Sequence, residues 1–150
     1  MKIFYSLDGA GVTSAPPSFS SWSIMLTNLF YRLPVMAYCG FIFWQSSSAS
    51  FDSLPTFEYA DKVMHLGGYA LLGALVVRML FNEALPFSRR NLMIAAILAS
   101  TLYGASDEFH QTFVAERCGD VFDVVADGLG SALGVIVYAR IRVWFRESRI

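Results

Sequence analysis

The sequence predicts an all-α, polytopic membrane protein in which four transmembrane helices form a compact bundle. Two observations support this prediction. The chain is 55% hydrophobic and only 15% charged, with a mean hydropathy of +0.49, whereas a soluble domain carries about 25% charged residues. Four apolar segments also alternate with polar stretches, and each can supply roughly 20 residues of helix, about one bilayer thickness.

In chain order, the predicted spans cover residues 26–45, 63–81, 92–104 and 121–141, and the third continues as a helix through residue 111. Each span has to be helical because the lipid core offers no partner to a free backbone group. Pro34 falls early in the first span, where it either kinks the helix or marks its true start.

The chain outside the spans is short. Residues 1–24 are rich in Ser, Gly and Pro and lack the apolar core of a signal peptide, which predicts a mobile cytoplasmic tail. Residues 25–145 form the predicted membrane domain, and residues 146–150 a cytoplasmic C-terminal tail. Cys39 lies inside a span and Cys118 in a polar connection, at depths that differ by more than the roughly 7 Å a disulfide bridges. Two free thiols are therefore expected.

Basic residues predict the orientation of the bundle. When both termini and the connection after the second span share one side, nine of the eleven Lys and Arg residues lie there. The positive-inside rule makes that side cytoplasmic. The prediction is a multi-pass protein of the cytoplasmic (inner) membrane, with both termini in the cytoplasm and the polar connections outside. The net charge of −1 gives no case for a nucleic-acid partner.

Polar residues near the outward face fall on helical stripes. In the second span, Asp61, His65 and Tyr69 recur every four residues, with Lys62 beside them. Similar stripes in the third and fourth spans contain Tyr103, Asp107, His110, Gln111, Asp120, Asp123 and Asp127. A charge inside a membrane span costs about 3 kcal/mol on insertion scales, so the stripes are expected to converge and compensate one another.

Small residues predict where the helices touch. They cluster at Gly67, Gly68, Gly73, Gly104, Ala105, Gly128, Gly130, Ser131 and Gly134. Small side chains let membrane helices approach closely, and Gly130 and Gly134 have the small-xxx-small spacing typical of such contacts. The same two glycines offer a face for a homo-oligomer.

Two blocks of sequence resemble the motifs of the VanZ-like membrane proteins. The first, DKVMHLGGYALLG, begins at Asp61, and the second, YGASDEFHQTFVAERCGDVFDVVADGLGSALG, begins at Tyr103. The second departs from the motif at Ala115-Glu116, which replaces Pro-Gly, and at Asp127, which replaces asparagine. The resemblance implies an integral membrane protein linked by family to susceptibility to glycopeptides of the teicoplanin type. It does not imply a defined reaction.

The motif positions supply the candidate site residues. The candidate catalytic residues are groups that can exchange protons: His65, Asp107, Glu108 and His110. The candidate substrate-binding residues are Asp61, Lys62, Tyr69, Gln111, Arg117, Asp123 and Asp127. No metal site is assigned because no close histidine pair is present. The cofactor is unknown, and a divalent metal held by histidine and carboxylate is the alternative.

Several of these residues also fit a structural role. Lys62 and Arg117 either grip a phosphate or carboxylate or form ion pairs with Asp61 or Asp123. His65 and His110 either take part in the site or hold the second and third helices together. Asp120 stands at a helix start, where it is expected to cap the helix. Asp127 lies a turn deeper, where capping cannot explain it.

Three classes of function remain open. One is an enzyme that modifies a phosphate-bearing envelope lipid, such as a lipid-linked cell-envelope precursor, at the outer face. The second is a non-catalytic lipid-binding or lipid-translocating protein, and the third is a structural bundle that works through partners. A soluble enzyme is excluded by the hydropathy. A nucleotide-binding protein is disfavoured because no Gly-rich phosphate loop follows a strand.

Overall fold

The computed structural model describes residues 21–48, 59–115 and 117–148. Within these ranges the chain forms four helices and no strand: α1 (Ser21–Ser46), α2 (Ala60–Leu80), α3 (Arg89–Gln111) and α4 (Val121–Glu147). The predicted all-helical fold of four helices is therefore confirmed. Pro34 lies within α1, so it does not mark the start of the helix. Most of the predicted N-terminal tail, residues 1–20, lies outside the described ranges, and α1 begins within the rest of it.

Two of the four helices are long and apolar enough to cross a membrane: α2 over Ala60–Leu80 and α4 over Val121–Phe145. Only 28% and 33% of their most apolar windows are buried inside the structure. A core helix of a soluble protein would bury most of such a surface, whereas a membrane helix presents it to lipid. These helices therefore indicate a membrane protein. Membrane crossing by α1 and α3 remains a prediction.

The helices run up and down, so that chain ends alternate between two ends of the bundle. We call the end where α1 stops, α2 starts, α3 stops and α4 starts the polar end. The opposite end, where α2 stops and α3 starts, is the basic end. The predicted side chains of the site lie at the polar end or within a few turns of it.

Close contact between α2 and α4 forms the centre of the bundle, while α3 packs beside α4 and α1 lies at the edge. A Cβ atom added at Gly73 would lie 2.6 Å from the backbone oxygen of Ser131. At Gly130 and Gly134 it would meet the backbone oxygens of Leu66 and Ala70 at still shorter range. The two backbones thus touch because these positions lack side chains, as their spacing predicts.

This contact changes two expectations drawn from the glycines. The face of Gly130 and Gly134 is occupied by α2 of the same chain, so it is not free for a second copy, and homo-oligomer formation stays a prediction without an assigned surface. Gly67 has no described atom within 4 Å of its added Cβ and therefore does not serve a close helix contact.

Helix α1 is attached to its neighbours through tyrosines. The hydroxyl of Tyr38 donates to the backbone oxygen of Gly68 at 3.1 Å. The hydroxyl of Tyr103 donates to the backbone oxygen of Cys39 at 2.6 Å. These bonds place the second half of α1 over α2 and α3, at the level of the polar stripes. The helix thereby becomes one wall of the site.

Candidate functional site

A histidine on α2 is fixed by a carboxylate on α4. Nδ1 of His65 lies 2.9 Å from Oδ1 of Asp127, and a carboxylate acceptor makes Nδ1 the donor. Asp127 is fully buried. Its carboxyl group lies against Gly104 of α3, in the space that a side chain at that position would fill. Oδ2 of Asp127 has no hydrogen-bond partner among the described residues.

The other ring nitrogen of His65 faces two further acids. Nε2 lies 3.7 Å from Oε1 of Glu108 on α3 and 3.9 Å from Oδ1 of Asp61, one turn earlier on α2. Glu108 is buried, whereas Asp61 is exposed. Side chains from three helices therefore converge on one imidazole. Those from α2 and α4 belong to the predicted stripes, whereas Glu108 of α3 does not.

Lys62 is engaged in a separate network at the start of α4. Its Nζ lies 2.8 Å from a carboxylate oxygen of Asp120 and 2.8 Å from one of Asp123. Oδ1 of Asp120 also accepts from the backbone N–H of Phe122, which confirms the predicted cap. The hydrogen bond that Asp120 accepts from Lys62, and to a smaller extent the one from Phe122, holds the pKa of Asp120 below its usual value. Lys62 thus takes the ion-pair role that the sequence left open, rather than an open anion-binding one.

Glu108 fastens the connection that precedes α4. Its Oε2 accepts from the backbone N–H of Asp120 at 2.9 Å, and its Oε1 accepts from Nε2 of Gln111 at 3.3 Å. The carboxylate is therefore shared between the helix start and the surroundings of His65.

A second chain of hydrogen bonds runs from α1 to Arg117. Oγ of Ser46 donates to Oδ1 of Asp107 at 2.6 Å, and Oδ2 of Asp107 accepts from Nε2 of Gln111 at 3.3 Å. Nη1 of Arg117 donates to Oε1 of Gln111 at 3.3 Å. Among the described residues Arg117 has no ion pair, so Asp107 and Gln111 position a cation that keeps its charge available.

The structure does not bring the two histidines together. Nε2 of His110 lies 3.1 Å from Oγ of Ser47, and its ring lies 4.7 Å, centre to centre, from that of Phe43. His110 thus contacts α1 and does not line the cavity beside His65. The candidate catalytic role of His110 stays a prediction, because Tyr103, Asp107 and His110 of the α3 stripe all contact α1.

A cavity of about 260 Å³ opens beside His65, between α1, α2 and α3. Its apolar wall includes Phe41, Ile42 and Met64, and its polar wall includes Asp61, Tyr69, Asp107, Gln111 and Arg117. Tyr69 is buried, with its ring parallel to that of His65 at 6.2 Å between centres. Its hydroxyl has no hydrogen-bond partner among the described residues. Lys62, Glu108, Asp123 and Asp127 do not line this cavity.

Two groups of potential cation ligands share His65. One adds Glu108 and Asp127, and the other adds Asp61 and Asp123; within each group one ligand atom per residue lies within 4.8 Å of the others. Carboxylate and imidazole suit several divalent metals. Hydrogen bonds already engage His65 and Glu108, so these contacts have an explanation without a metal.

Sequence reasoning missed the contribution of α1. Ser46, Phe41 and Ile42 line the cavity, but no charge or motif distinguishes them in the sequence. The only local signal is Ser46-Ser47-Ser48 at the end of an apolar run, which is typical of an ordinary helix end.

Comparison with known proteins identifies the family. A family model described as VanZ/LLP1 matches residues 1–144. No curated protein and no solved structure matches the chain. The match covers both blocks that carry the motif resemblance and all the site residues described above. The chain therefore belongs to the VanZ/LLP1 family.

Proposed function

We propose that this chain is a multi-pass protein of the cytoplasmic membrane that binds a phosphate-bearing envelope lipid at the outer face and modifies it by acid–base chemistry. One observation carries the proposal. The imidazole of His65, oriented by the buried carboxylate of Asp127 at 2.9 Å, lines a cavity that is also lined by Arg117 and by Tyr69, whose buried hydroxyl has no described partner.

The cavity suits an amphiphile with an anionic headgroup. Arg117 presents a planar fork of donors, which matches a phosphate. The hydroxyl of Tyr69 is buried and unpartnered, and a ligand oxygen would satisfy it. Phe41, Ile42 and Met64 form an apolar wall next to these groups, so a lipid tail and a phosphate can be accommodated together.

His65 is the group best placed for proton transfer. Asp127 holds Nδ1, which fixes the ring orientation and leaves Nε2 as the reactive nitrogen. In a hydrolysis or transfer, Nε2 takes the proton from the water or acceptor hydroxyl as its oxygen bonds to phosphorus. The P–O bond to the leaving group breaks, and the leaving oxygen receives that proton from Nε2. A positioned acid–base group contributes about 10²–10⁴-fold to a rate. In this proposal Glu108 supports His65, while Asp107 and Gln111 support Arg117.

The proposed orientation is the one that the distribution of Lys and Arg favours. The basic end lies in the cytoplasm, both termini are cytoplasmic, and the cavity lies toward the outer face, where α1 and α3 also cross the membrane. A lipid-linked cell-envelope precursor is accessible there. In this proposal, the protein changes the amount of such precursors in the membrane, and this change alters susceptibility to glycopeptides.

The proposal is tested with purified protein and a panel of polyprenyl phosphates, polyprenyl diphosphates and lipid-linked precursors, with and without divalent metals. Release of phosphate or of a shortened lipid is followed by mass spectrometry. His65→Gln is expected to lower turnover by at least about 10²-fold. His110→Gln is the matched control, because it changes the same residue type outside the cavity and is expected to retain turnover. Equal loss in both variants contradicts the assignment of His65.

A non-catalytic lipid-binding protein is the second candidate. It is favoured by Arg117 and Tyr69, which are sufficient to hold a headgroup without any reaction. Lipid binding is therefore measured separately from turnover, with Arg117→Gln as the binding variant. The non-catalytic candidate is supported if Arg117→Gln abolishes lipid binding, His65→Gln leaves it intact and the wild type turns over no lipid. Absence of both binding and turnover leaves the structural role.

A further inference from the structure

Two arginines from different helices share one aromatic ring at the basic end. The guanidinium carbon of Arg89, at the start of α3, lies 5.2 Å from the ring centre of Phe81. That of Arg142, near the end of α4, lies 5.3 Å from the same centre. Each contact is a cation–π interaction, in which the ring face attracts the guanidinium. The arrangement nevertheless gathers two like charges around one side chain.

No carboxylate offsets these two charges among the described residues. The ion pair found at this end joins Arg32 to Glu83 at 3.0 Å. Neither Arg89 nor Arg142 has an ion pair, and Nη1 of Arg142 is buried without a hydrogen-bond partner in the described part of the chain. An aromatic face is only a weak acceptor for the N–H groups of a guanidinium. The cluster is therefore short of an acceptor that carries negative charge.

The position of the cluster indicates where that acceptor comes from. The apolar part of α4 ends at Phe145 and α2 ends at Leu80, so Arg142 and Phe81 lie at the border of the membrane-crossing region. Phe87, Trp144 and Phe145 are exposed around it, as aromatic residues are at a membrane interface. Lipid phosphates occupy this depth.

We propose that Arg89 and Arg142 bind the phosphate of an anionic phospholipid at the basic end of the bundle. The phosphate offsets both guanidinium charges, while Phe81 holds the two side chains in place. Guanidinium groups suit this role because their planar donors match phosphate oxygens. This site lies at the opposite end from the cavity and does not depend on the function proposed for it.

The test uses the full chain purified in a neutral detergent and titrated with short-chain phosphatidylglycerol, phosphatidylcholine of the same chain length, or inorganic phosphate. Binding is measured by native mass spectrometry and by the rise in thermal stability. Arg89→Gln and Arg142→Gln are each expected to weaken phosphatidylglycerol binding about tenfold, equivalent to about 1.4 kcal/mol. Arg90→Gln and Arg140→Gln remove the same charge from exposed positions at the same end, and are expected to weaken binding less than about twofold.

Four results would overturn the proposal. Equal losses in all four variants would show a general charge effect instead of a site. Phosphatidylcholine that binds as tightly as phosphatidylglycerol would show that net charge is not recognised. Inorganic phosphate that binds as tightly as the lipid would show a site for the free ion. If Arg142→Gln does not fold, Arg142→Lys replaces it, because lysine keeps the charge but lacks the planar donors of the guanidinium. Unchanged phosphatidylglycerol affinity in both Arg142→Lys and Arg89→Gln also overturns the proposal.

Discussion

Replacement of Gly134 by alanine tests the close approach of α2 and α4. A Cβ atom at this position would collide with the backbone oxygen of Ala70. Backbone atoms cannot rotate away as a side chain can, so the two helices have to separate. Overpacking of this kind costs about 1–3 kcal/mol, whereas alanine in a helix interior gains about 0.5–1 kcal/mol over glycine.

Gly67→Ala provides the matched control, because it makes the same substitution on α2 where no described atom lies within 4 Å. The gain in helix propensity is common to both variants and cancels in the comparison. Gly134→Ala is therefore expected to be about 1–3 kcal/mol less stable than Gly67→Ala. The assay is urea unfolding of the purified protein in detergent micelles, followed by circular dichroism. Equal stability of the two variants would refute the helix contact.

Three further predictions concern the site and its orientation. Gly104→Ala is expected to abolish turnover while the chain stays folded by circular dichroism, because its methyl group displaces the carboxylate of Asp127; retained turnover contradicts this. Cys118 is exposed, and a membrane-impermeant thiol reagent is expected to label it in intact cells, whereas labelling only after lysis reverses the proposed orientation. Finally, Lys62→Gln is expected to destabilise the protein above about pH 4, the pKa range of a free aspartate. Lys62 lowers the pKa of Asp120, so the difference in stability between Lys62→Gln and the wild type is expected to shrink as the pH falls further. If urea unfolding shows a difference that does not change with pH, the Lys62–Asp120 pair is not its source.

Helical spacing was sufficient to predict that the polar stripes of α2 and α4 meet, as His65 and Asp127 do. Glu108 lay on none of these stripes and became a candidate only through the family motif. Charged groups at three- or four-residue intervals share a face, and a membrane bundle brings such faces together because lipid cannot solvate them. The cap at Asp120 was also predictable, since it depends on local sequence alone. The small residues predicted close helix contacts on α2, α3 and α4, but not that α2 and α4 pair with each other.

Spacing could not predict which neighbour each polar group faces. Asp107 and His110 lie on the side of α3 that meets α1, whereas Glu108 lies toward α2 and α4. This division depends on how far α3 is rotated about its axis, which long-range packing decides. The role of Ser46 was hidden for a related reason, because a serine at the end of an apolar helix carries no pattern of its own.

The missing side chain at Gly104 leaves room for the carboxyl group of Asp127, and this fit affects how α3 and α4 align along their axes. Leu, Val and Ile side chains on apolar helices are similar enough that neighbouring helices can slide past each other with little loss of contact. The carboxyl group of Asp127 fits against α3 only where a side chain is missing, and the residues one turn away on the same face of α3, Thr101 and Glu108 among them, carry side chains. A shift of α3 by one turn along α4 would therefore drive a side chain into the buried carboxyl group. One absent methyl group thus sets the vertical register of the two helices.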